Sequence, residues 1–301
     1  MDLLTIAMTS MLPSNTKVLH LESTDVCQAS CPQCAREVDL TFDKNKKNYL
    51  TVEKIKNLLS EKDICNLDKM FMCGNYGDPA ASHYTLEIFR YFRKINPDIV
   101  LGMNTNGAIQ NASWWQTLGK LFHKKQDYVV FSIDGLEDTN HIYRRGVNWS
   151  KLIENVKSYI NTDALAHWDM LVFDHNKHQV EQCKQLAKEL GFYIFRAKAS
   201  RRHNEHPVDF LSAPSGWRDP QINVGSIVCT ALQEKSVYIS AKGVIHPCCW
   251  LGSPAGADID NFESIQANWS NNPHPICKSI CSTVDNKNSF NNQWQKEIQL
   301  S

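Results

Sequence analysis

The chain has 301 residues, 42% hydrophobic and 21% charged, which suits a globular protein with one large domain and a smaller one. Lysine plus arginine and aspartate plus glutamate both total 32, so no charge excess marks a nucleic-acid surface. No stretch is long and apolar enough to cross a membrane, the first eight residues lack the basic region of a secretory signal, and the expected location is the cytoplasm. Eleven cysteines in such a chain argue for metal or redox chemistry rather than a disulfide framework.

Residues 1–17 show no clear period and read as an irregular lead-in. The apolar run Val18-Leu19-His20-Leu21 reads as a first strand and leads directly into Cys27-Gln28-Ala29-Ser30-Cys31-Pro32-Gln33-Cys34. The polar stretch from Glu37 to Lys47 should be exposed, and Thr51 opens a helix with Ile55, Leu58 and Leu59 on one face. Met70-Phe71-Met72-Cys73, stopped by Gly74, is a second strand, and the helix after it carries Leu86, Phe89, Phe92 and Ile95. Ile99 to Met103 and Tyr128 to Phe131 are the next two strands, separated by a helix around Trp114, Trp115, Leu118 and Phe122. Leu152, Val156, Tyr159 and Ile160 suit a further helix before a fifth strand, Trp168 to Phe173. The next helix starts near Asn176 as N-cap, buries Cys183 and Ala187, and ends at Gly191; Phe192 to Phe195 is the sixth strand. Six apolar strands alternating with amphipathic helices imply right-handed βαβ units in a parallel sheet over 18–200. The alternation is lost after Ala199, which sets a linker at 201–224 and a second domain at 225–301. In that domain Val237 to Ser240 and Val244-Ile245 flank Ala241-Lys242-Gly243 and read as a hairpin that delivers Cys248.

Two cysteine groups carry the chemistry. Three thiolates spaced CxxxCxxC at Cys27, Cys31 and Cys34 can hold three irons of a cubic cluster and leave the fourth open to a small molecule. The same residues could instead form a zinc site with a fourth ligand nearby, or a thioredoxin-like CxxC at Cys31 and Cys34. The second group, Cys229, Cys248, Cys277 and Cys281, can close all four irons of another cluster; Cys249 could replace Cys248, and a four-cysteine zinc site uses the same donors. Cys65, Cys73 and Cys183 sit in or beside apolar patterns and read as small hydrophobes.

Ligands of parallel α/β sheets meet the carboxyl ends of the strands. Read at those ends, CxxxCxxC after a first strand resembles the radical S-adenosylmethionine (SAM) enzymes, in which the open iron chelates SAM and an electron from the cluster yields a 5′-deoxyadenosyl radical that abstracts hydrogen. Gly74-Asn75-Tyr76-Gly77-Asp78-Pro79 resembles the family's GGEP motif, with Asp78 for the usual Glu and Tyr76 where a Gly is common. The resemblance implies that Gly74, Tyr76, Gly77, Asp78 and Pro79 hold the SAM amino group. Asn104-Thr105-Asn106-Gly107 is similar to the TNG turn and adds Asn104 and Asn106. Ser132-Ile133-Asp134-Gly135, followed by His141 and Arg144-Arg145-Gly146, resembles the S-x-D-G…H…R signature, which implies that Ser132, Asp134 and Arg144 meet the SAM ribose and carboxylate, with Arg145 as fallback. Backbone groups of Met170 to Phe173 should line the adenine side.

From Cys229 through Gly243 and Cys248 to Cys281, the pattern C…Gx₄C…CxxxC resembles the twitch domain, a shortened SPASM domain that binds one auxiliary [4Fe–4S] cluster. The architecture implied is a partial (β/α)₆ TIM-like barrel with a small C-terminal twitch domain. The implied cofactors are a SAM-binding [4Fe–4S] cluster, SAM, and a second, auxiliary [4Fe–4S] cluster. Hydrogen abstraction from a peptide or protein is the implied reaction, fed by an external one-electron donor such as a flavodoxin or ferredoxin. A small molecule or nucleotide is the alternative substrate. A non-enzymatic iron–sulfur or zinc carrier is the alternative class, and it would leave the turns at Gly74 to Pro79 and Ser132 to Arg144 without a purpose.

Overall fold

The computed structural model describes residues 12–123, 126–200, 208, 211–213, 227–252, 257–282 and 298–300. Most of the expected lead-in and of the expected linker lies outside them. The six apolar runs form β1 (Val18–Leu21), β2 (Lys69–Met72), β3 (Val100–Thr105), β4 (Tyr128–Ser132), β5 (Leu165–Val172) and β6 (Ile194–Ala199). Each pairs in parallel with the next, in sequence order. The crossovers are helical: α1 (Ala35–Val38), α2 (Val52–Leu58) and α3 (Glu61–Asn66) follow β1, and α4 (Thr85–Ile95) follows β2. After β3 comes α5 (Ala112–Leu121), after β4 come α6 (Glu137–Tyr143) and α7 (Trp149–Ile160), and after β5 comes α8 (Val180–Leu190).

The expected C-terminal hairpin forms and joins this same sheet. After α9 (Thr230–Gln233), β7 (Ser236–Ile239) lies parallel to β1, with Val18 opposite Ser236 and Leu21 opposite Ile239. Beyond it β8 (Ile245–His246) runs antiparallel, and at the far edge β9 (Ile298–Gln299) is antiparallel to β6. The nine strands lie in the order β8-β7-β1-β2-β3-β4-β5-β6-β9, an open sheet with α/β crossovers over its parallel part. Two further helices, α10 (Phe262–Ala267) and α11 (Pro275–Cys281), follow β8.

Side chains alternate across a strand, and here the two faces differ in chemistry. Leu19, Leu21, Met70, Met72, Leu101, Met103, Val129, Phe131, Ala166, Trp168 and Met170 share one buried cluster with helix residues such as Ile55, Phe89, Trp115, Val156 and Ala187. Burial of each large apolar side chain there contributes about 1.5–3 kcal/mol, which pins the register because a one-residue slip would turn this face outward. The intervening residues face away from the helices. They include His20, Phe71, Tyr128, His167, Asp169, Arg196 and Lys198, and Tyr128 and Val130 form a small apolar cluster there with Val100 and Leu165 against it.

Three local readings are corrected. The helix opened by Thr51, whose Oγ1 accepts from Lys54 N at 3.2 Å, stops at Leu58 because Ser60 starts a new one. Ser60 N donates to Asp63 Oδ2 (2.8 Å) and Asp63 N to Ser60 Oγ (3.2 Å), a capping box that α3 requires. The sixth strand begins at Ile194 rather than Phe192, since Gly191 caps α8 in the left-handed region (φ 88°) and Phe192 N still closes onto Ala187 O (2.9 Å). It then continues through Arg196 and Lys198, whose charges mask it in a search for apolar runs. Asn176 does not cap α8; its amide is bound to the end of β5 instead.

Candidate active site at the carboxyl ends of β1 to β5

The cysteine loop begins where β1 ends, and polar anchors fix its start. Asp25 accepts from Asn48 N (2.8 Å) and Nδ2 (2.5 Å), and Thr24 Oγ1 accepts from Val26 N (3.1 Å). Further on, Ser30 N donates to Arg145 O (2.9 Å), and Gly146 (φ +83°) lies so close beneath the loop that a Cβ would sit 2.8 Å from Gln28 O. Gln33 is fully buried and accepts from Ser200 Oγ at 2.8 Å, which ties the loop to the far end of β6. Cys31 is buried, Cys27 and Cys34 half-buried.

The turn after β2 is held by an acid that the sequence reading missed. Glu22, 2% exposed, accepts from Tyr76 N (2.7 Å), Gly77 N (3.2 Å) and the Tyr238 hydroxyl of β7. The turn is so tight that a Cβ at Gly74 would lie 2.1 Å from Gly77 O, and one at Gly77 1.9 Å from Thr24 O. The Tyr76 hydroxyl donates to Asp39 Oδ2 (2.5 Å) and its ring stacks on Phe42 at 4.3 Å, so it clamps the polar stretch after the loop. Asp78 turns inward and is 5% exposed. Its Oδ1 accepts from Ala80 N (2.9 Å) and Thr105 Oγ1 (2.8 Å), its Oδ2 from Asn106 N and Nδ2 (both 2.7 Å). Burial pushes the Asp78 carboxyl above the usual range, and these donors act against that. Pro79 opens the short 3₁₀ turn that Asp78 caps.

Asn106 carries this network to the cysteines: its Nδ2 lies 3.7 Å from Cys27 Sγ, and its Oδ1 accepts from Gln28 Nε2 at 2.7 Å. Asn104, two residues earlier, is on β3 itself and faces away from the helices. At the end of β4, Ser132 is half-buried beside Asp169 in register. Asp134 is fully buried; it accepts from Leu171 N and from Arg144 Nε, both at 2.6 Å. Burial pushes its carboxyl up while Arg144 pulls the other way. Arg144 Nη1 reaches within 3.8 Å of Cys31 Sγ. Asn176 Nδ2 donates to Asp134 O and Leu171 O (both 2.9 Å), which locks this corner onto β5. The structure thus brings Asp78 and Asn106 to Cys27, and Asp134 and Arg144 to Cys31, as two networks that meet the same cysteine loop, while the Tyr76 hydroxyl is engaged by Asp39.

The donor set fits an iron–sulfur cluster. Burial holds the Cys31 thiol up at about 11 and Cys27 higher still, so deprotonation there requires a cation, and metal ligation supplies one. Among the described residues no three or more His, Cys, Asp or Glu converge on a point that would hold a single ion.

The second cysteine group also comes together. Cys229, Cys248, Cys277 and Cys281 line one pocket, beside apolar neighbours such as Leu251 and Ile280. Cys249 does not line it; buried, it offers its carbonyl to Asn75 Nδ2 at 2.7 Å. Burial pushes the thiols of all four lining cysteines up, Cys281 to about 12.

This architecture, with the cysteine loop on the first strand, is the fold of the radical SAM enzymes. SuiB of Streptococcus suis, solved with its precursor peptide SuiA, superposes with a TM-score of 0.61 at 13% identity, over 87% of this chain and 66% of that one. SuiB bound to SAM gives 0.59 at 15% identity, over 87% and 67%. The anSMEcpe enzyme bound to SAM and the Cp18Cys peptide gives 0.53 at 13% identity, over 77% and 74%. Neither a protein-family model nor a curated protein sequence matches the chain. Among the described residues no helix is long and apolar enough to cross a membrane.

Proposed function

We infer that the chain is a radical SAM enzyme that modifies a peptide or protein, with SAM bound on a [4Fe–4S] cluster at Cys27, Cys31 and Cys34. The observation that carries the reading is the convergence of the strand-end turns on the cysteine loop, seen in the contacts of Asn106 with Cys27 (3.7 Å) and of Arg144 with Cys31 (3.8 Å). When bound, the reduced cluster and SAM supply a 5′-deoxyadenosyl radical for hydrogen abstraction.

The residues of the chain divide the remaining work. N–H donors from Asn106 and Arg144 beside the sulfurs stabilise thiolate charge. Arg144 gives its Nε to Asp134, which leaves its terminal nitrogens facing the loop as the fork for the SAM carboxylate, with the Ser132 hydroxyl on the ribose side. Glu22 draws the N–H groups of Tyr76 and Gly77 inward, so the turn from Gly74 to Pro79 presents its carbonyls to the SAM amino group. Asp78 is a positioning residue that fixes Asn106 through both its amide groups.

Cys229, Cys248, Cys277 and Cys281 would hold a fully ligated auxiliary [4Fe–4S] cluster, fed or drained by an external carrier such as a flavodoxin or ferredoxin. Support for a peptide substrate comes from SuiB and anSMEcpe, each solved with a peptide bound. The test is anaerobic: reconstitute with iron and sulfide, add SAM and a strong reductant, and assay 5′-deoxyadenosine, with Cys31→Ala as control. Product from the wild type alone is expected; none from a cluster-loaded wild type, with or without candidate peptides, would overturn the reading.

A further inference from the structure

The face of the sheet turned away from the helices holds a polar row that includes Asn104, a residue of the expected SAM turn that lies on β3 itself. Register places Asn104 of β3 opposite Val130 of β4, and Val130 opposite His167 of β5. With strands spaced about 4.8 Å apart, Asn104 and His167 stand roughly 10 Å apart at their Cα atoms, with an apolar side chain between them. His167 is 7% exposed, lies flat on the Tyr128 ring (5.2 Å, 2°), and neither of its ring nitrogens has a partner. Asn104 Oδ1 is likewise buried without a donor. Buried polar atoms are normally satisfied, so three on one row point to a group that arrives from outside.

The chemistry of the row narrows that group. Burial, with Arg196 acting the same way, pulls the His167 imidazole down to about 3, so the ring is neutral and offers one N–H donor and one acceptor. Asn104 Oδ1 can only accept. A carboxylate would meet that oxygen acceptor to acceptor. An ammonium would enter the field of Arg196 and Lys198, which flank Asp169 on the next row (2.7 and 2.6 Å). A carboxamide satisfies both ends: its NH₂ donates to Asn104 Oδ1, its carbonyl accepts from the His167 N–H, and its methylenes rest on Val130.

We propose that the row Asn104, Val130 and His167 is the specificity floor of the substrate cleft and takes an asparagine or glutamine side chain of the peptide. This rests on the peptide-modifying reading given above. The test uses the cluster-loaded protein with SAM and measures binding of the pentapeptides Gly-Gly-Xaa-Gly-Gly, with Xaa as Gln, Asn, Leu or Glu, by saturation-transfer NMR. The Gln or Asn peptide should bind about tenfold more tightly than the Leu and Glu peptides, as expected for buried hydrogen bonds. His167→Phe, which keeps the ring on Tyr128, should abolish that preference, and His167→Gln should restore part of it. Asn104→Leu gives an independent check should the histidine variant not fold. Equal affinities across the set, no binding of any peptide, or a preference that survives both substitutions would overturn the proposal. Because 5′-deoxyadenosine is assayed on the same preparations, SAM cleavage without the peptide preference refutes only this inference, whereas absence of cleavage refutes the radical SAM reading.

Discussion

Removing the guanidinium of Arg144 should destabilise the protein far more than a surface charge change would. Arg144→Met keeps an unbranched stem but leaves the fully buried Asp134 carboxylate with Leu171 N (2.6 Å) as its donor. Breaking a buried ion pair from one side costs about 3–5 kcal/mol, a large part of the roughly 5–15 kcal/mol that holds a typical domain folded. With a urea m-value near 3 kcal/mol/M, the midpoint of the reduced apoprotein should fall by more than about 1 M. The cost belongs to the stranded carboxylate, so combining Asp134→Asn with Arg144→Met should recover about 1–3 kcal/mol relative to additivity. The Arg144→Met protein should also lose iron from the N-terminal site, because Arg144 stands 3.8 Å from Cys31 Sγ. A midpoint shift below about 0.3 M, or strictly additive costs in the double variant, would refute the assignment of this pair as the anchor of the corner.

Gly77→Ala should fail to hold the turn after β2, since its Cβ would sit 1.9 Å from Thr24 O; loss of iron at reconstitution is the readout, with Gly191→Ala at the end of α8 (φ 88°) as a strained-glycine control away from the turn. Cys248→Ala should remove the auxiliary cluster and Cys249→Ala should spare it, as judged by iron content and EPR; the reverse result would assign the ligand to the wrong neighbour. Burial pulls the His20 imidazole from 6.5 down to about 4. A folded pKa below the unfolded one gives stability that is complete above about pH 6.5 and is lost as pH falls towards 4, about 2 kcal/mol between roughly pH 7.5 and 5. His20→Phe retains the stack on Phe71 (4.5 Å) and should remove that slope from urea profiles; the raised carboxyls of Glu22, Asp78 and Asp134 act in both proteins and cancel in the comparison.

What could be read from the sequence is what local physics determines. Apolar runs and turn residues located the first four strands to within a residue or two, missed the first three residues of β5 and the charged second half of β6, and the strand-end turns carried the cysteines, Asp78, Asn106, Asp134 and Arg144 in order along the chain. Glu22 was invisible because its partners lie 54, 55 and 216 residues away, and nothing local distinguishes it from a polar residue ending a strand. Asn176 fitted an N-cap by type, but the Oδ1 that a cap would use accepts from Phe173 N instead, and its Nδ2 is spent on Asp134 O and Leu171 O. Cys248 and Cys249 could not be told apart in the sequence because they are adjacent and alike; in the fold Cys248 lines the pocket with Cys229, Cys277 and Cys281, whereas the Cys249 carbonyl meets Asn75.

The place of β7 beside β1 also bears on how the chain is made. Val18 must wait for Ser236, so the first strand emerges from the ribosome long before its outer neighbour exists. During that interval β1 is an unsatisfied edge, open to pairing with another chain. The Tyr238 hydroxyl reaches Glu22 only once β7 docks, and Glu22 in turn tightens the turn over the cysteine loop. The last third of the polypeptide therefore acts as a late keystone. Truncation before it should leave the N-terminal cysteines on an unfinished sheet, and the long wait for a nonlocal partner should make folding of the whole chain slow.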